Sequence, residues 1–201
     1  QEAQVRLMEH VKNHKGKNSM LVLRPADVHE TTVAWKMAME NLDTPTGLIL
    51  SRQNINDLPC EKGNNYEQAL GAEKGAYIVK DCKGTPDIIM VASGSEVSTL
   101  FEGAKLLEDR KNLNIRIVSA PSEGLFRSQS KEYQTEVLPN NIPTYGMTAG
   151  LSLNIRDLVG ANGFIHGLNH FGYSAPYKVL DEKFGFNGES VYNEVCEYLN
   201  I

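Results

Sequence analysis

The chain has 201 residues, is 41% hydrophobic and 22% charged, and carries a net charge of -5. That length allows one large domain or two small ones, and the apolar content excludes a disordered chain. The acidic balance argues against a nucleic-acid partner, because phosphate backbones require clustered Lys and Arg. Three cysteines, Cys60, Cys82 and Cys196, are odd in number and widely spaced, with no CxxC or Cys/His ligand pattern. They suggest neither a disulfide framework nor a zinc site, and read as reduced thiols. No run of 18 apolar residues and no signal-peptide pattern is legible, so a cytoplasmic location away from membranes is expected.

Residues 1–13 open the chain with Ala3, Leu7, Met8 and Val11 at helical spacing. No capping residue precedes this helix, which suggests a chain cut from a longer one. Met20-Leu21-Val22-Leu23 reads as a short buried strand stopped by Pro25. Asp27 then stands three residues before Glu30, the spacing of a capping box, and predicts a helix to about Asn41. Its inward residues are expected to be Val33 and Met37, with Trp35 and Ala38. Gly47 to Ser51 is the next strand. Strand, helix and strand in this order give the rhythm of a parallel sheet covered by helices.

Residues 54–75 hold few apolar side chains and no visible period, and read as a linker between two domains. Beyond it, strands are predicted at 76–79, 87–92, 114–119, 143–147 and 163–168. Helices are predicted from "SGSE" to about Arg110, then over 129–137, 175–184 and 188–200. Val97, Leu100, Phe101, Ala104, Leu106 and Leu107 mark the inner face of the first of these. Val191, Val195 and Leu199 mark that of the last. The expected fold is α/β: a three-layer α/β/α C-terminal domain with a five-stranded, mostly parallel sheet and one antiparallel edge strand. The end of a second α/β domain precedes it. The divisions fall at 1–58, 59–75 for the linker and 76–201. Residues 87–120 form one βαβ unit, and the spacing of 76–92 resembles a hairpin.

Few residues suggest chemistry. Arg52, in "SRQN", stands just beyond a strand at the end where parallel α/β sheets bind ligands. A guanidinium there can grip a phosphate through two donors, and its charge is permanent. The competing reading is an Arg paired with a surface carboxylate. Ser93, Gly94 and Ser95 precede a helix and could present amides to an anion, but plain N-capping by Ser93 or Ser95 is the simpler account. His166 and His170 are four apart, yet Gly167 between them argues against a metal-binding helix face. His10 and His14 share that spacing and read as a solvated face, and His29 as support for the helix cap. No Ser/His/Asp or Cys/His set has legible spacing, so no catalytic set can be assembled within the chain.

Five segments together resemble transketolase. They are "LRPADVHETTVAWKMAME" (23–40), "TPTGLILSRQNINDLP" (44–59), "IIMVASGSEVSTLFEGAKLL" (88–107), "VSAPSEGLFRSQSKEYQTEVLP" (118–139) and "GFIHGLNHFGYSAPYKVLDEKFGF" (163–186). They occur in the family's order, and "RPAD", "SRQN" and "FGYSAP" are its more specific elements. "SRQN" and "FGYSAP" favour transketolase over related enzymes such as deoxyxylulose phosphate synthase or a ketoacid dehydrogenase β subunit.

The resemblance implies a thiamine-diphosphate enzyme of the pentose phosphate pathway. Such an enzyme is a homodimer that moves a two-carbon ketol unit between sugar phosphates with the help of a divalent metal, Mg or Ca. This chain would be the end of its pyrimidine-binding domain plus the whole C-terminal domain. Arg52 matches the family's arginine that contacts the substrate phosphate. The cofactor-activating glutamate, the diphosphate and metal ligands and the substrate-contacting histidines lie upstream of Gln1 in the family pattern. The resemblance therefore implies no catalytic, cofactor or metal residue here, and an isolated chain that neither turns over nor binds thiamine diphosphate. A chain acting as a non-catalytic assembly module, one subunit of a split enzyme, is the alternative.

Overall fold

In the computed structural model, which describes residues 2–60 and 63–201, β1 (Leu21–Leu23) and β2 (Thr46–Leu48) pair in parallel across the helix α2 (Val28–Glu40). β2 ends three residues short of the expected Ser51. The pairing nevertheless continues one bond further, from the Ile49 amide to the Leu23 carbonyl at 2.8 Å.

α2 begins where the sequence predicts. The Asp27 carboxylate accepts the Glu30 amide at 2.8 Å and so satisfies one of the helix's orphan donors. Val33 and Ala34 are buried, whereas Trp35 is 51% exposed, contrary to expectation. With 3.6 residues per turn, Trp35 lies about 200° around the helix from Val33 and cannot share its face.

The N-terminal helix α1 is shorter than predicted, spanning Glu2–Leu7, and it buries the other face. Leu7, Met8 and Val11 are exposed, while Arg6 is only 4% exposed and Glu9, just beyond the helix, 2%. Burial here follows hydrogen bonding rather than apolarity. Arg6 pairs with Glu2 at 2.9 Å, and Glu9 accepts from the Val22 amide and the Ser122 hydroxyl. Burial raises the Glu9 carboxyl above its ordinary pKa, against the opposing charge of Arg6.

The segment read as a linker is partly ordered helix. α3 (Asn65–Ala69) runs into a 3-10 turn over Leu70–Lys74, and both pack against α2. Asn64 caps α3 through its side chain, a signal that the lack of a long period concealed.

Beyond it come β3 (Tyr77–Lys80), β4 (Ile88–Ala92), α4 (Glu96–Lys111) and β5 (Ile115–Ser119). Next are α5 (Glu123–Arg127), α6 (Lys131–Val137) and β6 (Thr144–Thr148). A 3-10 turn at Ser152–Ile155 leads into α7 (Arg156–Val159), followed by β7 (Phe164–Gly167), α8 (Tyr177–Phe184) and α9 (Gly188–Leu199). The sequence reading missed α5 and α7, which are a single turn or little more. The five strands form one sheet in the order β3-β5-β4-β6-β7. All neighbours are parallel except β3, the antiparallel edge. β3 pairs with β5 and not, as a hairpin would, with β4.

Side-chain alternation along β4 divides the interior in two. Ile88, Met90 and Ala92 face a core closed by α4, α9 and α2. Ile89 and Val91 face a second core closed by α5, α6 and α7. Such double-sided burial is what a near-continuous apolar strand requires. α4 and α9 cross closely at Gly103, where a Cβ would lie 2.3 Å from Val191, so this crossing tolerates no side chain. Among the described residues no helix is long and apolar enough to cross a membrane.

Candidate functional site

A cleft of about 370 Å³ opens where the carboxyl end of the β1–β2 pair meets the turn before α4. Ser51, Arg52 and Gln53 form one wall; Arg24, Gly94, Ser95 and Glu96 form another; Asp181 and Phe186 close it from α8 and the loop beyond. Arg52 is exposed, and among the described residues it makes no hydrogen bond or ion pair. The reading of Arg52 as the partner of a surface carboxylate therefore finds no support. The loop around it is shaped locally by the Ser51 hydroxyl, which donates to the Gln53 carbonyl at 2.7 Å.

The second arginine of the cleft behaves oppositely. Arg24 reaches across to α4 and forms a two-pronged pair with Glu96, with Nη1 to Oε2 at 2.7 Å and Nη2 to Oε1 at 2.9 Å. Its Nη1 also donates to the Ser93 carbonyl at 2.6 Å. Glu96 Oε1 in turn accepts the Ala149 amide from the end of β6 at 2.9 Å. Burial works against the Arg24 charge, but Glu96 more than offsets it and holds the guanidinium above its ordinary pKa. Burial, helped by the charge of Glu96, raises Asp181.

Neither Ser93 nor Ser95 caps α4 with its side chain, so the expected capping is corrected: the "SGSE" turn is an arginine seat. Gly94 has φ +66, and a Cβ there would fall 2.8 Å from the Arg24 guanidinium carbon. Only glycine allows both that backbone and that approach. The charge pair was invisible in sequence because its partners lie 72 residues apart.

The first unit is tied to the sheet by a further buried carboxylate. Glu30, fully buried on the first turn of α2, accepts from the Tyr77 hydroxyl (2.8 Å), the Ser119 hydroxyl (2.6 Å) and the Ala26 amide (2.8 Å). Burial pushes its pKa up to about 7, although those hydrogen bonds pull it down.

The histidines fall into place one by one. His10 and His14 are exposed, and His10 lies 3.1 Å from Arg127. His29 sits 3.8 Å from Asp57. His166 is on β7 between Glu194 (2.8 Å) and the Phe184 carbonyl (2.9 Å), while His170, in the following loop, contacts the Phe171 carbonyl. Burial lowers the His166 pKa and Glu194 raises it, with a net rise. Among the described residues no three His, Cys, Asp or Glu side chains converge as a metal-ligand set. Cys82 and Cys196 are half-buried and form no disulfide.

A mostly parallel α/β sandwich with an arginine-bearing cleft at its strand ends is thus the class of protein the geometry defines. Residues 75–187 match the family described as "Transketolase-like TK C-terminal domain". The chain is 38% identical to the transketolase of Aquifex aeolicus over 180 residues, which are 89% of this chain and 26% of that protein. Its structure matches a transketolase from Leishmania mexicana with a TM-score of 0.83 and 34% identity, over 98% of this chain and 26% of that one. It also matches the Pichia stipitis transketolase in complex with sedoheptulose 7-phosphate, with a TM-score of 0.79 and 33% identity, over 92% of this chain and 26% of that one. The chain belongs to the transketolase family, and it spans about a quarter of the length of these relatives.

Proposed function

We propose that this chain is the C-terminal portion of a transketolase, in which Arg52 binds the phosphate of the sugar substrate. The observation that carries this reading is the Arg52 guanidinium in the cleft at the strand ends, without a hydrogen-bond or ion-pair partner among the described residues. A permanent, planar cation with two parallel N–H donors is suited to a phosphate. The neighbouring Arg24 is neutralised by Glu96, which leaves Arg52 as the arginine of the cleft with charge to spare. One relative is described in complex with a sugar phosphate, the ligand class such an anchor serves.

In the complete enzyme the reaction is transfer of a two-carbon ketol unit between ketose and aldose phosphates, in the cytoplasmic pentose phosphate pathway. Thiamine diphosphate supplies the carbanion chemistry when bound. It and its divalent metal, Mg or Ca, are held by parts of the enzyme outside these 201 residues. Within this chain the work is positional: Arg52 holds one end of the substrate, and the sheet domain over 76–201 supports the unit over 1–58 through the Glu30 bonds to Tyr77 and Ser119 and the Arg24–Glu96 pair. The chain alone is catalytically inactive, and the working form is a homodimer that binds neither nucleic acid nor membrane.

The test is Arg52→Ala in the full-length enzyme. Losing a charge-assisted phosphate contact raises the Michaelis constants of phosphorylated substrates about 10- to 150-fold. Hydroxypyruvate, which has no phosphate, is unaffected. Unchanged constants for the phosphorylated substrates would reduce Arg52 to a surface residue and leave the chain an assembly module.

A further inference from the structure

The loop that carries Arg52 has few restraints of its own. It leaves the sheet at Ile49, whose amide is held by the Leu23 carbonyl at 2.8 Å. Among the described residues, its hydrogen bonds and ion pairs between Leu50 and Asp57 are the local Ser51–Gln53 bond and the 3.8 Å approach of His29 to Asp57. It is caught again at Leu58, a 4% exposed side chain in the main core. There the Leu58 amide donates to Asp27 Oδ2 at 3.0 Å. The other oxygen of that carboxylate, Oδ1, is the N-cap of α2, accepting the Glu30 amide at 2.8 Å. Asp27 is itself 6% exposed and stands at the end of the segment leaving β1.

One carboxylate therefore joins two things: the start of α2 and the far end of the Arg52 loop. A helix cap needs only one acceptor. The second oxygen is surplus to capping, and it is spent on the loop. We propose that Asp27 is a positioning residue for substrate phosphate binding, acting through the Leu58 amide to hold Arg52 at its place in the cleft. This rests on the reading of Arg52 as the phosphate anchor. The logic is that of a binding group preorganised by its support: a guanidinium on an eight-residue span tied at both ends loses less freedom on gripping a phosphate than one on a span tied at one end.

The experiment separates the two oxygens. Asp27→Ser and Asp27→Asn are both good N-caps, but each presents a single side-chain oxygen acceptor. Both are introduced into the full-length enzyme, alone and with Arg52→Ala, and assayed with xylulose 5-phosphate and with hydroxypyruvate as donors. The thermal midpoint and hydrogen exchange of the Leu58 amide are followed alongside. The expected result is a modestly lowered midpoint, faster exchange at Leu58, and a Michaelis constant for xylulose 5-phosphate raised about three- to tenfold with hydroxypyruvate unchanged. In the Arg52→Ala background the Asp27 variants add nothing further. The proposal is overturned if Leu58 exchanges faster while the xylulose 5-phosphate constant stays put, or if both donors suffer equally. It is overturned as well if the Asp27 effect persists without Arg52. If Arg52→Ala itself leaves the constant for xylulose 5-phosphate unchanged, the phosphate reading has failed first, and that failure is seen in a different variant.

Discussion

The two regions of the molecule are held by different means. The five-stranded sheet has a core on each face, rich in Ile, Val, Leu and Met side chains at or near zero exposure, and Ala26, Val33 and Leu58 of the first unit join one of them. The smaller unit around β1 and β2 has only a two-stranded sheet, and it leans on carboxylates: Glu9, Asp27, Glu30 and, across the cleft, Glu96. Apolar packing is non-directional and tolerates small shifts, whereas a hydrogen-bonded carboxylate has to be met at a fixed distance and angle. The element that presents Arg52 is thus located by directional bonds, and the domain that supports it by bulk.

Removing Glu96 should give the largest effect. Glu96→Ala leaves the Arg24 guanidinium buried without its counter-charge, which costs about 3–5 kcal/mol. Chemical denaturation measures the loss, and hydrogen exchange is expected to place it at residues 20–50 before the central strands. The double replacement Arg24→Met with Glu96→Leu should recover part of this, but not all, because the Ala149 amide still lacks its acceptor. If instead the central strands β4 and β6 loosen first, the contrast between the regions is broken.

The opposite region is probed by Leu107→Ala. This side chain is fully buried between α4 and the sheet, and its truncation should cost about 2–4 kcal/mol. The loss should be global, with little effect on the pH dependence of stability.

That pH dependence sharpens the contrast, with a smaller change. Glu30 and Glu123 both have pKa values pushed up to about 7, burial being the leading cause, and the His166 pKa is raised. A folded-state pKa above the unfolded value means that the folded form binds the proton more tightly. For the two carboxyls the resulting stability is complete below their ordinary pKa near 4.5 and is lost as pH rises through about 7. His166 acts in the same direction at higher pH. Unfolding free energy should fall between pH 5 and pH 8, with Glu30 contributing on the order of 2–3 kcal/mol. Glu30→Gln should flatten the carboxylate part of the curve. A parent curve already flat across that range would mean that Glu30 is ionised at no cost.

Much of this architecture was legible beforehand, and the misses have a common cause. Period-2 and period-3.6 patterns report which face of a local segment is apolar. They placed the five strands of the sheet domain, α2, α4 and α9; the antiparallel edge came from a hairpin-like spacing, and β3 is antiparallel but pairs with β5. The same logic failed for α1, whose buried face is made of Arg6 and Glu9, because periodicity counts apolar residues and these are buried by their partners. It failed for α5 and α7, each about one turn long, since so short a helix has too few residues to show a period. Arg52 could be singled out as a candidate because a strand followed by an arginine is a local pattern. Arg24 could not, because its partner is supplied by a turn far along the chain.

By itself the sequence determined the alternation of strand and helix, the cap at Asp27, the position of Arg52 past a strand end and the family likeness. The first three are encoded within a few neighbouring residues, and the likeness in five such segments taken in order. Only the tertiary structure decided the strand order β3-β5-β4-β6-β7, the neutralisation of Arg24 by Glu96, the burial of Glu30 under Tyr77 and Ser119, and the second use of the Asp27 carboxylate at Leu58. These depend on which distant segments the sheet brings together. A polar side chain has no fixed partner until the fold supplies one.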